Sequence, residues 1–141
     1  METQYNYSNK VLLFPEIPVN YAGFWERFGA AFIDGLVLII PNYFLMYALG
    51  PVGNLLSIVM AWLYYAIQES SSSQSTLGKR AMGLKVATLD AERITFGQAT
   101  GRFFGKYLSM LILFIGYLMM VWDDNKQTLH DKMASTIITK E

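Results

Sequence analysis

The chain has 141 residues, of which 53% are hydrophobic, 15% aromatic and 16% charged, with eleven Lys and Arg balanced by eleven Asp and Glu. Together with a positive mean hydropathy, this leaves too little polar surface for an ordinary soluble domain and points to one membrane-embedded domain. The absence of cysteine excludes disulfides, thiolate chemistry and cysteine-ligated zinc or iron–sulfur centres.

Residues 1–23 read as an N-terminal arm. The segment METQYNYSNKVLLFPEIPVN has neither a basic n-region nor a long apolar core, so a cleaved signal peptide is not expected. From Gly35 to Gln68 the sequence runs for about 34 residues without a formal charge. A bilayer core of roughly 30 Å takes about 20 apolar helical residues, so this run predicts two spans rather than one. The turn between them is legible in Leu49-Gly50-Pro51-Val52-Gly53-Asn54. The spans are expected at about 25–49 and 52–68. A third apolar stretch, Tyr107 to Trp122, is short for a span unless Phe103 and Phe104 join it while Arg102 and Lys106 snorkel toward head groups. Its expected range is then about 103–122, within a membrane domain of residues 24–122.

Six of the eleven basic residues, Lys79, Arg80, Lys85, Arg93, Arg102 and Lys106, lie in the loop 69–102 or at its exit. The positive-inside rule places this loop, and with it the N-terminus, in the cytoplasm. The tail, 123–141, has two readings. Three crossings put it outside. Alternatively, the β-branched segments Leu84 to Leu89 and Ser135 to Thr139 pair as strands on one side of the membrane. Gly97 to Trp122 must then bend back, with Gly116 as the candidate hinge. The expected fold is thus all-α with three transmembrane helices, the alternative being two spans plus a bent or re-entrant third segment. Aromatic clusters at Tyr21, Phe24 and Trp25, at Trp62, Tyr64 and Tyr65, and at Phe103, Phe104 and Tyr107 fall on the proposed cytoplasmic interface.

The loop opens with Glu69-Ser70-Ser71-Ser72-Ser73-Gln74-Ser75-Thr76, read as a polar linker with no reason to pack. Gly78-Lys79 does not make a phosphate loop, because Ser73 stands where its first glycine belongs and Arg80 replaces the required Ser or Thr. Lys79, Arg80 and Lys85 are expected against anionic head groups or solvent. Gly97, Gly101, Gly105 and Ser109 recur every four residues and predict a stripe along which another helix can pack.

Arg27 and Asp34 are seven residues apart, on one helix face but about 10 Å apart along the axis, which is too far for a close pair. Arg27 can reach the interface, whereas Asp34 needs a partner inside the span. Arg102 and Lys106, entering from the same side, are the candidates, so the intramembrane polar set is Arg27, Asp34, Arg102 and Lys106.

Three blocks carry a family resemblance. They are Glu26-Arg27-Phe28-Gly29-Ala30-Ala31-Phe32-Ile33-Asp34, then Thr76-Leu77-Gly78-Lys79-Arg80-Ala81-Met82-Gly83-Leu84-Lys85-Val86, then Gln127-Thr128-Leu129-His130-Asp131-Lys132-Met133-Ala134-Ser135-Thr136. In this order they resemble the RDD family of membrane proteins, whose arginine and two aspartates match Arg27, Asp34 and Asp131. The chain departs at Ala134-Ser135-Thr136, where Ala-Gly-Thr is usual, and at Asp90-Ala91-Glu92-Arg93, which lacks the usual glycine. The resemblance implies membrane location more than a biochemical role.

His130 and Asp131 do not suggest a catalytic dyad, since neighbours on a short helix point apart. Thr128 as a cap supported by Asp131 is the ordinary reading. Neither an enzyme, a cofactor, a metal site nor a nucleic-acid partner is expected. Two functions remain: a structural or assembly subunit of a bacterial inner membrane, acting as a homo-oligomer or with another membrane protein, and an oligomeric transporter of cations, protons or a small solute through Asp34.

Overall fold

The computed structural model describes residues 19–112 and 115–140, so most of the N-terminal arm expected over 1–23 lies outside the described residues. Helix α1, Phe24–Leu49, is followed by α2, Pro51–Ser70, with Gly50 as the link. Gly50 adopts φ 55°, open to glycine at little cost, and Pro51 starts α2 at the one position where its missing N–H is harmless. The turn is therefore tighter than Leu49–Asn54, because Gly53 and Asn54 already belong to α2. Gly53 has a packing role: a Cβ there would collide with the carbonyl of Leu45 across the hairpin.

Helix α1 is long and apolar enough to cross a membrane by itself, and its apolar side chains point outward rather than into a core. Phe32, Ile40, Phe44 and Tyr47 are all exposed, as are Leu55, Val59 and Ile67 on α2. Helix α2 has 20 residues, the length of a span, but with Asn54, Ser57, Gln68 and Glu69 among them it is less apolar than α1.

After α2 the chain is not a loose linker. Ser75 and Thr76 are buried, and Gln74 receives the Val86 N–H on its carbonyl while donating from Nε2 to the Val86 carbonyl. Thr76 caps the short helix α3, Leu77–Ala81, by accepting the Lys79 N–H. Strand β1, Leu84–Thr88, follows. The expectation that residues 69–76 have no reason to pack is thus corrected. The segment is held because Glu69, at its start, is drawn into a buried ion pair.

Helix α4, Phe96–Leu111, begins well before the expected residue 103, because Thr95 and Gln98 form a reciprocal capping box. Trp62 on α2 donates to Thr100 Oγ1 at 3.0 Å, and the rings of Tyr65 and Phe103 meet with centroids 6.0 Å apart. Two of the three aromatic clusters thereby become one helix contact. Helix α5, Ile115–Leu118, and a 3-10 turn, Met119–Val121, form a second piece whose axis differs from that of α4 by 114°. The third span expected at 103–122 is therefore not one straight helix. The helical pattern of α4 stops before Gly116, at Leu111. Gly116 is instead a close-packing point, since a Cβ there would lie 2.5 Å from Ser109 Oγ and 3.1 Å from Leu129 Cβ.

Helix α6, Leu129–Met133, leads into β2, Thr136–Lys140. Strands β1 and β2 pair antiparallel with Leu84 opposite Lys140, Val86 opposite Ile138 and Thr88 opposite Thr136. The all-α description is amended by this sheet, which realises the alternative pairing of the two β-branched segments. Residues 20–22 continue it: Ala22 donates to the Ile138 carbonyl at 2.9 Å and Lys140 to the Asn20 carbonyl at 2.8 Å. Val86, Ile94 and Ile138 form a small core with Ala22, Ala66 and Ala99.

The two departures from the family pattern fall on strained backbone. Ala91 and Ser135 have φ 62° and 54°, in the left-handed region where a Cβ costs about 1 kcal/mol. Both are exposed, so no packing offsets the strain. Ser135→Gly, and independently Ala91→Gly, should therefore stabilise the protein by about 0.5–1 kcal/mol, read as a raised unfolding midpoint in detergent micelles.

Candidate functional site

At the end of the hairpin that carries Arg27 and Glu69, five charged side chains alternate in sign. Lys79 pairs with Glu69 Oε1, and Glu69 Oε2 accepts from Arg102 Nε at 3.1 Å. Arg102 Nη1 pairs with Asp131 Oδ1, and Asp131 Oδ2 pairs with Arg27 Nη1. The sequence of charges, Lys79–Glu69–Arg102–Asp131–Arg27, joins α3, α2, α4, α6 and α1. Glu69, Arg102 and Asp131 are essentially inaccessible to solvent. A single buried charge would be prohibitive, and each is tolerated here because it has an opposite charge on at least one side and hydrogen bonds on others.

Local structure sets each position. Arg102 sits two turns into α4 and also donates from Nη1 to Thr136 Oγ1 at 2.6 Å, reaching the start of β2. Asp131 is the third residue of α6, where its Oδ2 accepts the N–H of the cap residue Thr128 at 3.1 Å. The flanking cations hold the Asp131 carboxyl well below the usual carboxylate range against the opposing effect of burial. Arg27 is anchored besides by its bonds to the Ala22 and Lys126 carbonyls.

Asp34 belongs to a second, adjoining cluster. Its carboxylate accepts from Tyr64 Oη at 2.7 Å, from Thr76 Oγ1 at 2.6 Å and from the Gly78 N–H at 2.8 Å. Neither Arg102 nor Lys106 is its ion-pair partner among the described residues. Arg102 is drawn to Glu69 and Asp131, and Lys106 Nζ lies over the Tyr65 ring, 4.0 Å from its centroid. The reason is reach: α3 folds directly onto α1, and Gly78 allows it, because a Cβ there would collide with the Ala30 carbonyl and the Asp34 carboxyl. Lys79, expected among head groups, is instead buried against Glu69.

The small-residue stripe divides. Gly105 lies under α6, where a Cβ would stand 2.7 Å from His130 Cβ, and Ser109 is buried beside Gly116. Gly97 and Gly101 are exposed, and Gly101 has nothing within 4 Å of its would-be Cβ. His130 is buried, with Thr128 Oγ1 3.0 Å from Nε2 and the Tyr117 ring 5.3 Å away. Burial pushes its pKa down to about 3 despite the neighbouring Asp131, so the imidazole is neutral at neutral pH.

Glu69 and Tyr64 are the functional residues that the sequence reading passed over. A signal existed for Glu69. The uncharged run is bounded by Asp34 at one end and Glu69 at the other, and the reasoning that demands a partner for the first demands one for the second. Nothing in one sequence marks Tyr64 as the donor to Asp34.

An apolar helical hairpin closed at one end by a buried charge cluster defines a membrane protein with a polar cap. The chain belongs to the RDD family, whose sequence pattern matches residues 21–135. It is 34% identical to an uncharacterized protein, YxaI, of Bacillus subtilis over 82% of this chain and 94% of that protein. It is 28% identical to an uncharacterized membrane protein, YteJ, of the same organism over 86% of this chain and 82% of that protein. A proline-rich antigen homolog of Mycobacterium tuberculosis is 33% identical over 45% of this chain and 27% of its own length. No solved structure matches. The arginine and two aspartates that match the family's name take separate places: Arg27 and Asp131 pair with each other, and Asp34 holds α3.

Arg102 is the shared link between Glu69 and Asp131. Arg102→Met should cost about 3–5 kcal/mol, the range for breaking a buried charge network from one side. Denaturant titration in micelles checks this. In the Arg102→Met background, Asp131→Asn should then cost distinctly less than it does alone.

Proposed function

We propose that this RDD-family protein is a non-enzymatic structural or assembly subunit of the bacterial inner membrane. It has two crossings, a cytoplasmic N-terminus and a third helical segment that re-enters without crossing. The observation that supports this reading most is the closure of its charges. Asp34 accepts from three donors, and Glu69 and Asp131 each bridge two cations, an arrangement that ties helices to one another as a docking joint does. The cation or proton transporter reading, with Asp34 as the exchanging group, has less support, because both carboxylate oxygens of Asp34 are already engaged by Tyr64, Thr76 and the Gly78 N–H.

The two-crossing topology is supported by the β1–β2 pair, since strands joined by backbone hydrogen bonds share one side of a membrane. A fluorescent-protein fusion at the C-terminus should be bright and an alkaline phosphatase fusion there inactive; the reverse pattern would restore three crossings.

Assembly through helix packing is supported by Gly97 and Gly101, the exposed half of the stripe on α4, where a second helix, from a further copy or another membrane protein, can approach closely. Gly101→Leu should abolish the oligomer or co-purifying membrane protein without changing the monomer's unfolding midpoint. Proteoliposomes carrying the wild-type protein and a pH-sensitive dye should show no cation-driven proton movement that Asp34→Asn removes. Such a flux, with an unaffected assembly state, would overturn the proposal.

A further inference from the structure

Beside the ion cluster lies a partly open cavity of about 240 Å³, at the same end of the hairpin as Arg27. Arg27, Lys79, Arg102 and Lys106 all border it, against a single bordering carboxylate among the described residues, that of Asp34. Taken with Glu69 and Asp131 behind them, four basic side chains face three carboxylates in a largely buried site.

Two donors are left over once the internal bonds are made. Arg102 is fully buried, and its Nη2 has no hydrogen-bond partner among the described residues, although Nε and Nη1 are both engaged. Lys106 Nζ rests on the face of the Tyr65 ring and pairs with no carboxylate among the described residues. A buried guanidinium nitrogen without an acceptor is costly, and so is an uncompensated ammonium beside it. The deficit at both is the same: acceptor oxygens bearing negative charge.

We propose that this cavity is a binding site for a phosphate-type oxyanion, held by Lys106 Nζ and by Arg102 Nη2, which is buried in the cavity wall and turns toward the anion on binding. A guanidinium edge and an ammonium supply several divergent donors, which a multi-oxygen anion can use together and a halide cannot. The volume accommodates a phosphate group with room for a substituent. Asp34 does not close the site to anions, because its two oxygens are already occupied by Tyr64, Thr76 and Gly78. The phosphate can come free from solution or as the head group of an anionic lipid. The inference is independent of the assembly role, since it concerns the cavity and not the exposed face of α4.

The full chain is purified in zwitterionic micelles and titrated with inorganic phosphate against chloride at equal ionic strength. It is then compared in nanodiscs of phosphatidylcholine with and without phosphatidylglycerol. A phosphate-specific rise in unfolding midpoint supports the site with a free anion. A rise only with phosphatidylglycerol supports it with a lipid phosphate. In either case Lys106→Met should weaken the effect at least tenfold, and Arg93→Gln, on the exposed loop, should leave it unchanged. If neither probe acts beyond matched chloride, or if Lys106→Met responds like the wild type, the proposal is wrong. Should Lys106→Met fail to fold, equilibrium dialysis and lipid analysis of the wild type decide. Saturable uptake of one phosphate group per chain supports the site, and non-saturable uptake overturns it.

Discussion

A buried guanidinium cannot be left without carboxylates, and Arg102 obtains two from segments on either side of it in the chain. Glu69 lies in the last turn of α2, and Asp131 lies in the short helix before the last strand. For one side chain to touch both, α4 must lie between them, the tail must fold back beneath α4, and the loop after α2 must turn inward. The short helix α3 and the β1–β2 pair are the geometric result. The energy of the arrangement lies less in attraction than in avoidance, because the desolvation already incurred by each charge makes every missing partner expensive.

This constraint also explains why two clusters, rather than one, surround the family's three named charges. Asp34 is held by neutral donors and fixes α3 to α1 through a glycine that admits close approach. Asp131 is held by two arginines and fixes the tail to α1 and α4. The first joint is short-range and depends on shape. The second is long-range and depends on charge, so the two tolerate different changes: loss of space at Gly78 for one, loss of charge at Arg102 for the other.

Much of the hairpin was legible in the sequence because charge exclusion over 35–68 and the Gly50-Pro51 pair are local signals with a direct physical meaning. The β-branched segments near residues 84–89 and 135–139 were legible as strands, and their partnership was open only because the side of the tail was open. The partner of Asp34 was not legible. Charge arithmetic favours Arg102 or Lys106, yet a carboxylate is equally satisfied by a tyrosine hydroxyl, a threonine hydroxyl and a backbone N–H, and none of these carries a formal charge that a sequence reader can count. Glu69 was hidden by its company, since a run of serines reads as solvent-exposed linker. The positive φ at Ser135, and at Ala91 within the turn 90–93, gives a physical account of the glycines that the family pattern leads one to expect in those two segments.

The separations along the chain impose an order on how the cluster can close as the protein is made. All donors to Asp34 are available once residue 78 has emerged, and Glu69 can already take Lys79, ten residues on. Among the described residues Arg27 has no such local carboxylate; its partner arrives 104 residues later. The two acids that border the apolar run can thus find their partners early, while the arginine near its beginning waits for almost the whole chain. Within the buried cluster the last ionic bonds to form are those of Asp131, and they bring the end of the chain back to the first turn of the first helix.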